Sequence, residues 1–360
     1  MQQTHRSRSL SRSSHETRRR SGLRGTAAVA GAVLLASGVA ACGSSSSSSA
    51  SGSNSAASWS PSRSGTTNVT IAYTAPTADQ ILPVVAKAGG FFKKNGINVT
   101  LKFLSPSAAL PALISGSVNF VVMGAPAAEI GAVNGTPLEY VGQWEKYIDA
   151  QIVANKDAAT IKDLNNKTVA ISSTGALSDF LAQISNHQNG ITMHEVPLGS
   201  FPDEITAFEK GSAAALSGAN PWQLKTLKKL VPSTHVVEDF RSNPSAVGVG
   251  VIADSQKLSS TAAHNTTVKV LRALYQAIPY YKSHESVAVP LIAKTDSYTT
   301  AEATEAYQDV KKATDNTVVP DLASEKSVLT ALSSSQPAAK GFDASKLFDP
   351  SYATKAQSGS

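Results

Sequence analysis

Short apolar runs alternate with longer amphipathic stretches along most of this 360-residue chain, and no other feature narrows its fold so far. The run Val69-Thr70-Ile71-Ala72-Tyr73 predicts a strand. A helix is expected over 79–94, with Ile81, Leu82, Val85, Ala88 and Phe92 on one face and Pro83 in the first turn, where a missing N–H is tolerated. Strands follow at 99–104, 120–123 and 138–144, separated by helices at 107–115 and 127–133. The pattern then restarts. Strands at 150–154, 168–172, 195–198, 213–216, 236–237 and 247–252 are interleaved with helices at 176–186, 203–209 and 221–230. From 261 onward the chain is mainly helical, at 267–282, 287–292, 300–314 and 325–333. Strands and helices joined by connections this short imply parallel sheets with helices on their faces. The restart near 145–150 implies two such series, with no repeat of fixed period between them.

The only cysteine, Cys42, divides the chain. Before it come Arg18-Arg19-Arg20 and Arg24, then an uncharged run of small and apolar residues over 25–41. That is the order of a charged region, an apolar region and a small-residue cleavage site. The run is shorter than the roughly 20 apolar residues that span a bilayer, so a removed signal fits better than a retained helix. After Cys42 a tract rich in Ser, Ala and Gly runs to about 65. It cannot bury enough apolar surface to fold and reads as a flexible tether. With its one cysteine at the start of that tether, the rest of the chain has neither a disulfide nor a thiolate metal site.

Charge excludes a nucleic-acid partner. Residues 1–41 carry seven arginines against Glu16, which accounts for the whole formal charge of +6 and leaves the remainder balanced at 25 basic and 25 acidic residues. No basic footprint for a phosphate backbone survives removal of the signal.

Val39-Ala40-Ala41-Cys42 resembles the bacterial lipobox, in which cleavage leaves a cysteine that becomes lipid-modified. The rest resembles the nitrate, sulfonate and taurine family of substrate-binding lipoproteins of ABC transporters, which shares its fold with thiamine-precursor-binding proteins. Four segments carry the likeness. They are 81–99, with its Gly89-Gly90-Phe91-Phe92 turn and Gly96 ahead of a strand; Leu113-Ile114-Ser115-Gly116 before Phe120; Asp163-Leu164-Asn165-Asn166-Lys167-Thr168-Val169, with Asn166 where the family has Gly; and Leu347-Phe348-Asp349-Pro350-Ser351-Tyr352. The family often carries an Asp-Ala pair in the region of 213–220, and this chain has no acid there.

The resemblance implies an α/β fold of the two-lobed, periplasmic-binding-protein-like type II. Each lobe would be a mainly parallel sheet flanked by helices, joined by two crossover strands. The expected organisation is a signal peptide at 1–41, a tether at 42–65, lobe I at 66–149 plus 253–360, and lobe II at 150–252. It further implies a monomer, lipid-anchored through Cys42 on the outer face of the cell membrane, with a small-molecule ligand and the permease subunits of an ABC importer as partners.

In open α/β sheets ligands sit beyond the carboxyl ends of strands, near helix N-termini. That rule selects Tyr73, Thr74, Ala75, Pro76 and Asp79; Gly124 and Ala125; Ser172, Ser173, Thr174 and Gly175; and Asn220 with Trp222. Trp144 is a further candidate wall. The Ser/Thr/Gly loop at 172–175 suits a small monoanion such as a sulfonate or nitrate, and an anion of that type is the ligand expected in the cleft between the lobes. Aromatics beside Asp79 would instead suit a pyrimidine or an amine. No Arg falls in a candidate loop, which argues against a clamped dianion, and Lys146 lies nearby. The histidines are scattered, so neither metal nor cofactor is expected. An exported hydrolase is the reading from another class, but Gly-x-Ser-x-Gly, Ser-x-x-Lys, His-Glu-x-x-His and a phosphate loop are all missing. Gly248-Val249-Gly250-Val251-Ile252-Ala253 mimics a dinucleotide fingerprint, yet its glycines fall inside a strand.

Overall fold

The computed structural model describes Trp59, 65–145, 147–242, 248–333 and 336–358. Cys42, the signal, nearly all of the tether and Lys146 lie outside these residues. In chain order the first series is β1 (Thr67–Tyr73), α1 (Leu82–Ala88), α2 (Phe91–Lys94), β2 (Ile97–Phe103), α3 (Pro106–Ile114), β3 (Phe120–Gly124), α4 (Ala125–Val133) and β4 (Leu138–Gln143). The second is β5 (Gln151–Ala154), β6 (Thr168–Ile171), α5 (Leu177–Asn189), β7 (His194–Pro197), α6 (Phe201–Glu209), β8 (Ala215–Ala219), α7 (Pro221–Leu230) and β9 (His235–Asp239). The chain closes with β10 (Val249–Asp254), α8 (Thr261–Ser283), α9 (Glu285–Asp296), α10 (Thr300–Ala313), α11 (Leu322–Leu332) and α12 (Ser351–Ser358).

Two five-stranded sheets result, with orders β2-β1-β3-β10-β4 and β7-β6-β8-β5-β9. In the first, β1 pairs parallel with β2 and β3, while β10 runs antiparallel between β3 and β4. In the second, β6 pairs parallel with β7 and β8, while β5 runs antiparallel between β8 and β9. Four strands of each sheet therefore point one way, and the fifth is the strand that arrives from the other lobe. The two lobes share one topology although their sequences share no period. The expected two-lobed α/β architecture with two crossovers holds, each sheet being mixed because the crossover strand runs against the other four.

β10 enters the first sheet at Val249, so that lobe resumes before residue 253. Pairing on both edges fixes it there: Val249 stands opposite Gly124 and Gly250 opposite both Met123 and Gln143. The helix expected over 79–94 is a short 3-10 turn at Ala78–Gln80 followed by α1 and α2, which part at Gly90, whose left-handed φ of 74° breaks a helix at little cost. The strand expected at 213–216 lies at Ala215–Ala219, where both neighbours are available. α8 starts at Thr261 rather than 267 because the Ser260 hydroxyl accepts from the N–H of Ala263 at 3.1 Å. Asn166 has φ 60°, which explains how it replaces a glycine: of the residues with a side chain, Asn tolerates this region best.

The core follows the apolar runs. Phe120, Val121, Val122 and Met123 of β3 are all buried, as a central strand covered on both faces requires. One cluster packs Val69, Ile71 and Phe120 under α1 and α8, and it includes Trp144 and Trp222. A second runs from Val121 and Ala128 of the first lobe to Phe180 and Leu181 of the second. The lobes thus share buried apolar surface on two sides.

Candidate functional site

Three of the four candidate loops are tied down by a polar side chain that follows closely in the chain. After β1, the N–H groups of Thr74 and Ala75 donate to Gln80 Oε1 at 2.8 and 3.1 Å. After β6, Ser172 N–H donates to Ser178 Oγ at 3.0 Å and Gly175 N–H to Asp179 Oδ2 at 2.7 Å. After β8, Asn220 N–H donates to Gln223 Oε1 at 2.9 Å. These five loop N–H groups are thus satisfied from within the chain. At 172–175 one of the acceptors is itself a carboxylate.

The lobes meet along two lines. On one, the position of a Cβ on Gly124 would lie 3.9 Å from the Leu177 side chain across the gap. Beside it a crevice of about 250 Å³ is lined by Pro106, Ser107, Leu110, Pro111, Met123, Ala127, Ile130 and Gly131 of the first lobe and Thr174 and Gly175 of the second. On the other, Trp222 Nε1 donates to the Tyr298 hydroxyl at 3.1 Å, and Lys225 pairs with Glu305 at 3.4 Å. Both pairs join α7 to the region of α10.

The first crossover carries buried acids. Glu145 is 3% exposed; its Oε2 accepts from Val249 N–H at 2.9 Å, and its Oε1 has no partner. Burial, then the nearby charge of Asp79, pushes its carboxyl well above the usual range. Asp79 is half-buried as a residue, but its Oδ1 is covered and without a partner, and burial raises its carboxyl too. Trp144 Nε1 donates to the Asp79 carbonyl at 3.1 Å, which locks this turn to the crossover. Asp149 is 7% exposed and is pushed up to about 7 by burial first and by Asp309 second. Tyr281, on α8, has an unpartnered hydroxyl that feels the charges of Glu145 and Asp79. No ion pair among the described residues includes Asp79, Glu145 or Asp149; Arg241 is engaged with Asp239 and Lys312 with Asp309 at 3.0 Å, and the Arg241 charge only partly offsets what raises the Asp149 carboxyl. No three histidine, cysteine or acidic residues among the described ones are placed to hold a metal ion.

The structure sorts the candidate residues into groups. Thr174 and Gly175 face α3 and α4 across the crevice, and Gly124 stands at its edge. Ala125 opens α4, its N–H donating to Gly248 O at 3.3 Å. Ser172 is spent on Ser178, and the Ser173 carbonyl accepts from Ala176 at 3.1 Å. Trp144 and Asp79 are joined directly, and Trp222 packs into the same apolar cluster as Trp144. Tyr73 leans on Phe103 with ring centres 5.9 Å apart. Thr74 is buried, Ala75 is half-buried and Pro76 is exposed; none of the three lines the 250 Å³ crevice. Asn220 is the N-cap of α7. The sequence reading missed Glu145, Asp149, Gln80, Asp179, Gln223 and Tyr298. The polar residue soon after each candidate loop was the available signal for three of these.

A family model described as "NMT1/THI5 like" matches residues 78–288. No curated protein matches the chain. Among solved structures, a protein from Bordetella bronchiseptica RB50 superposes with a TM-score of 0.70 at 17% identity, over 81% of this chain and 97% of the other. The periplasmic aliphatic sulphonate binding protein SsuA from Escherichia coli gives 0.64 at 19% identity, over 79% and 92%. The periplasmic nitrate-binding protein NrtA from Synechocystis PCC 6803 gives 0.64 at 11% identity, over 82% and 89%. At such identities the likeness is one of fold.

Proposed function

The chain belongs to the NMT1/THI5-like family, and on that premise we propose that it is the solute-binding component of an ATP-driven importer. It would be held outside the cell membrane by lipid on Cys42 and would capture a small molecule between its lobes. The observation that supports this reading is the pair of like-folded lobes joined by two crossing segments, with a crevice between them lined by α3, α4 and Met123 of one lobe and by Thr174 and Gly175 of the other. Ligand in such a crevice contacts both lobes, so binding favours closure, and closure offers a permease a surface that the open form lacks.

On this reading the chain binds its solute and does no chemistry on it. The crevice holds no nucleophile with an adjacent base, and its lining is mostly aliphatic. Hydrolase activity abolished by one Ser or Asp substitution would overturn that statement.

The test is a thermal-shift screen of the full chain against nitrate, alkanesulfonates, taurine, pyrimidines and amines. A solute at about 100 times its Kd stabilises by about 2.7 kcal/mol, which for a protein of this size is a shift of several degrees. A flat response across every class refutes the reading.

A further inference from the structure

Past Cys42 the charges balance in number but not in place. At the amino ends of β1 and β2, Lys87 of α1 and Lys93 of α2 line a crevice of about 470 Å³ together with Thr66, Asn68, Asn98 and Phe92. Lys94 follows Lys93, and Lys269 Nζ of α8 lies 4.0 Å from where a Cβ on Gly96 would stand. α1 and α2 pack on α8, and Asn95 Nδ2 donates to Gln276 Oε1 at 2.9 Å across that contact. Lys87, Lys93 and Lys94 are exposed and Lys269 is half-buried. No ion pair among the described residues includes any of the four. We propose that this corner is a docking surface for the anionic headgroups of a lipid bilayer, on which the protein rests with its interlobe crevice turned to solution.

The corner is acid-free as well as basic. β1, α1, α2, β2 and α8 contain no Asp or Glu. Between Cys42 and Phe120 the sequence has one acid, Asp79, which lies beyond the carboxyl end of β1. Acids of neighbouring elements are engaged or distant. Asp254, at the end of β10, pairs with Lys257 at 2.9 Å, and Glu285 accepts from Gln308 Nε2 at 2.7 Å. Glu139 is on β4, the other edge of the sheet, four strands and about 19 Å from β2. That exceeds the Debye length of about 8 Å at physiological salt. Lysines meet phosphate as point charges, so headgroups of no fixed geometry satisfy them. The chain also enters the fold here. Thr66 lines the crevice, and Cys42, the lipid attachment of the proposed function, stands 23 positions before Gly65 in the sequence. This placement rests on that reading, while the charge arrangement does not. A body anchored so close meets the bilayer repeatedly, and modest attraction then suffices. β1 runs from this corner to the candidate loop at 73–79, about 23 Å at the usual strand rise. Resting on the lysines therefore leaves the far end of the sheet, where solute is captured, free of the bilayer.

The test is co-sedimentation of residues 43–360 with lipid vesicles. That form holds every described residue and lacks both the arginines of the signal and the lipid. The vesicles are phosphatidylcholine, with and without phosphatidylglycerol. The expected result is binding to the anionic vesicles at low salt, none to the neutral ones, and release in about 1 M salt. Lys87→Gln, Lys93→Gln and Lys94→Gln together should weaken binding about 100-fold, at about fivefold per lysine. Lys228→Gln with Lys229→Gln, at exposed positions of α7 in the second lobe, should leave it unchanged. All five side chains are exposed, so the fold survives their exchange. Equal binding to both vesicles, no binding to either, or an equal loss from the α7 pair overturns the proposal. So does binding to glycerol phosphate or duplex DNA without binding to vesicles. The solute-binding reading is decided separately: vesicle binding requires no solute, and its failure leaves a response in the solute screen untouched.

Discussion

Asp149 offers the sharpest physical test. Its carboxyl moves from a usual value near 3.8 to about 7, because folding strips it of water and sets Asp309 nearby. A displacement of that size corresponds to about 4 kcal/mol between the protonated and ionised forms. The folded state holds the neutral acid more readily than the unfolded chain does. The associated stability is therefore complete below about pH 3.8 and is lost as pH climbs through about 7. Between about pH 5 and pH 8 this one group should remove about 2.5 kcal/mol from the guest-free protein. Asp149→Asn keeps the shape and removes the ionisation. Near pH 4 the variant should match the wild type within about 1 kcal/mol, and at pH 8 it should be more stable by about 3 to 4 kcal/mol. Urea midpoints of both proteins, taken across that range after stripping any guest, give the difference directly. Glu139 and Glu195, raised to about 7, and Glu204, raised to about 8, contribute equally to both curves and cancel in the subtraction. Parallel curves, or a variant weakened equally at every pH, would refute the claim that burial and Asp309 outweigh the pull of Arg241 on Asp149.

Two further outcomes are expected. Gly250→Ala should cost about 3 kcal/mol or prevent folding, because a Cβ there would overlap the Tyr140 phenol and the Gly142 carbonyl across β4; a loss below about 1 kcal/mol in chemical denaturation would contradict so close an approach. Cys42→Ala should move the exported protein from the detergent phase to the soluble fraction, since acyl chains at about 0.8 kcal/mol per buried methylene supply the anchor; unchanged partitioning would remove the lipid from the reading.

Much of the architecture can be read from the chain because it depends on local pattern. Phe120 to Met123 is apolar throughout, as only a doubly covered strand tolerates, and Asn220-Pro221 announces α7. Of the crevice lining only Thr174 and Gly175 follow from the strand-end rule, because Pro106, Leu110, Ala127 and Ile130 come from the faces of α3 and α4. The acids at the crossover are not legible. Glu145 and Asp149 sit in a short polar connection that reads as solvated, and their burial comes from β10, α8 and α10, elements more than a hundred residues further on. Gln80, Asp179 and Gln223 look like ordinary first-turn residues, and only the closed loops reveal their bonds. The glycines at 248 and 250 imitate a nucleotide fingerprint, but in three dimensions they make room for Glu145 and Tyr140 beside a central strand.

The order of strands also dictates an order of assembly. Every strand of the second sheet lies within Gln151–Asp239, so that half has all its pieces once the chain has passed its own end. The first sheet cannot close so soon, because β4 borders only β10, which is threaded last. A chain emerging amino end first therefore carries β4 without a neighbouring strand until Val249–Asp254 arrives. The half that begins first is the one that finishes last.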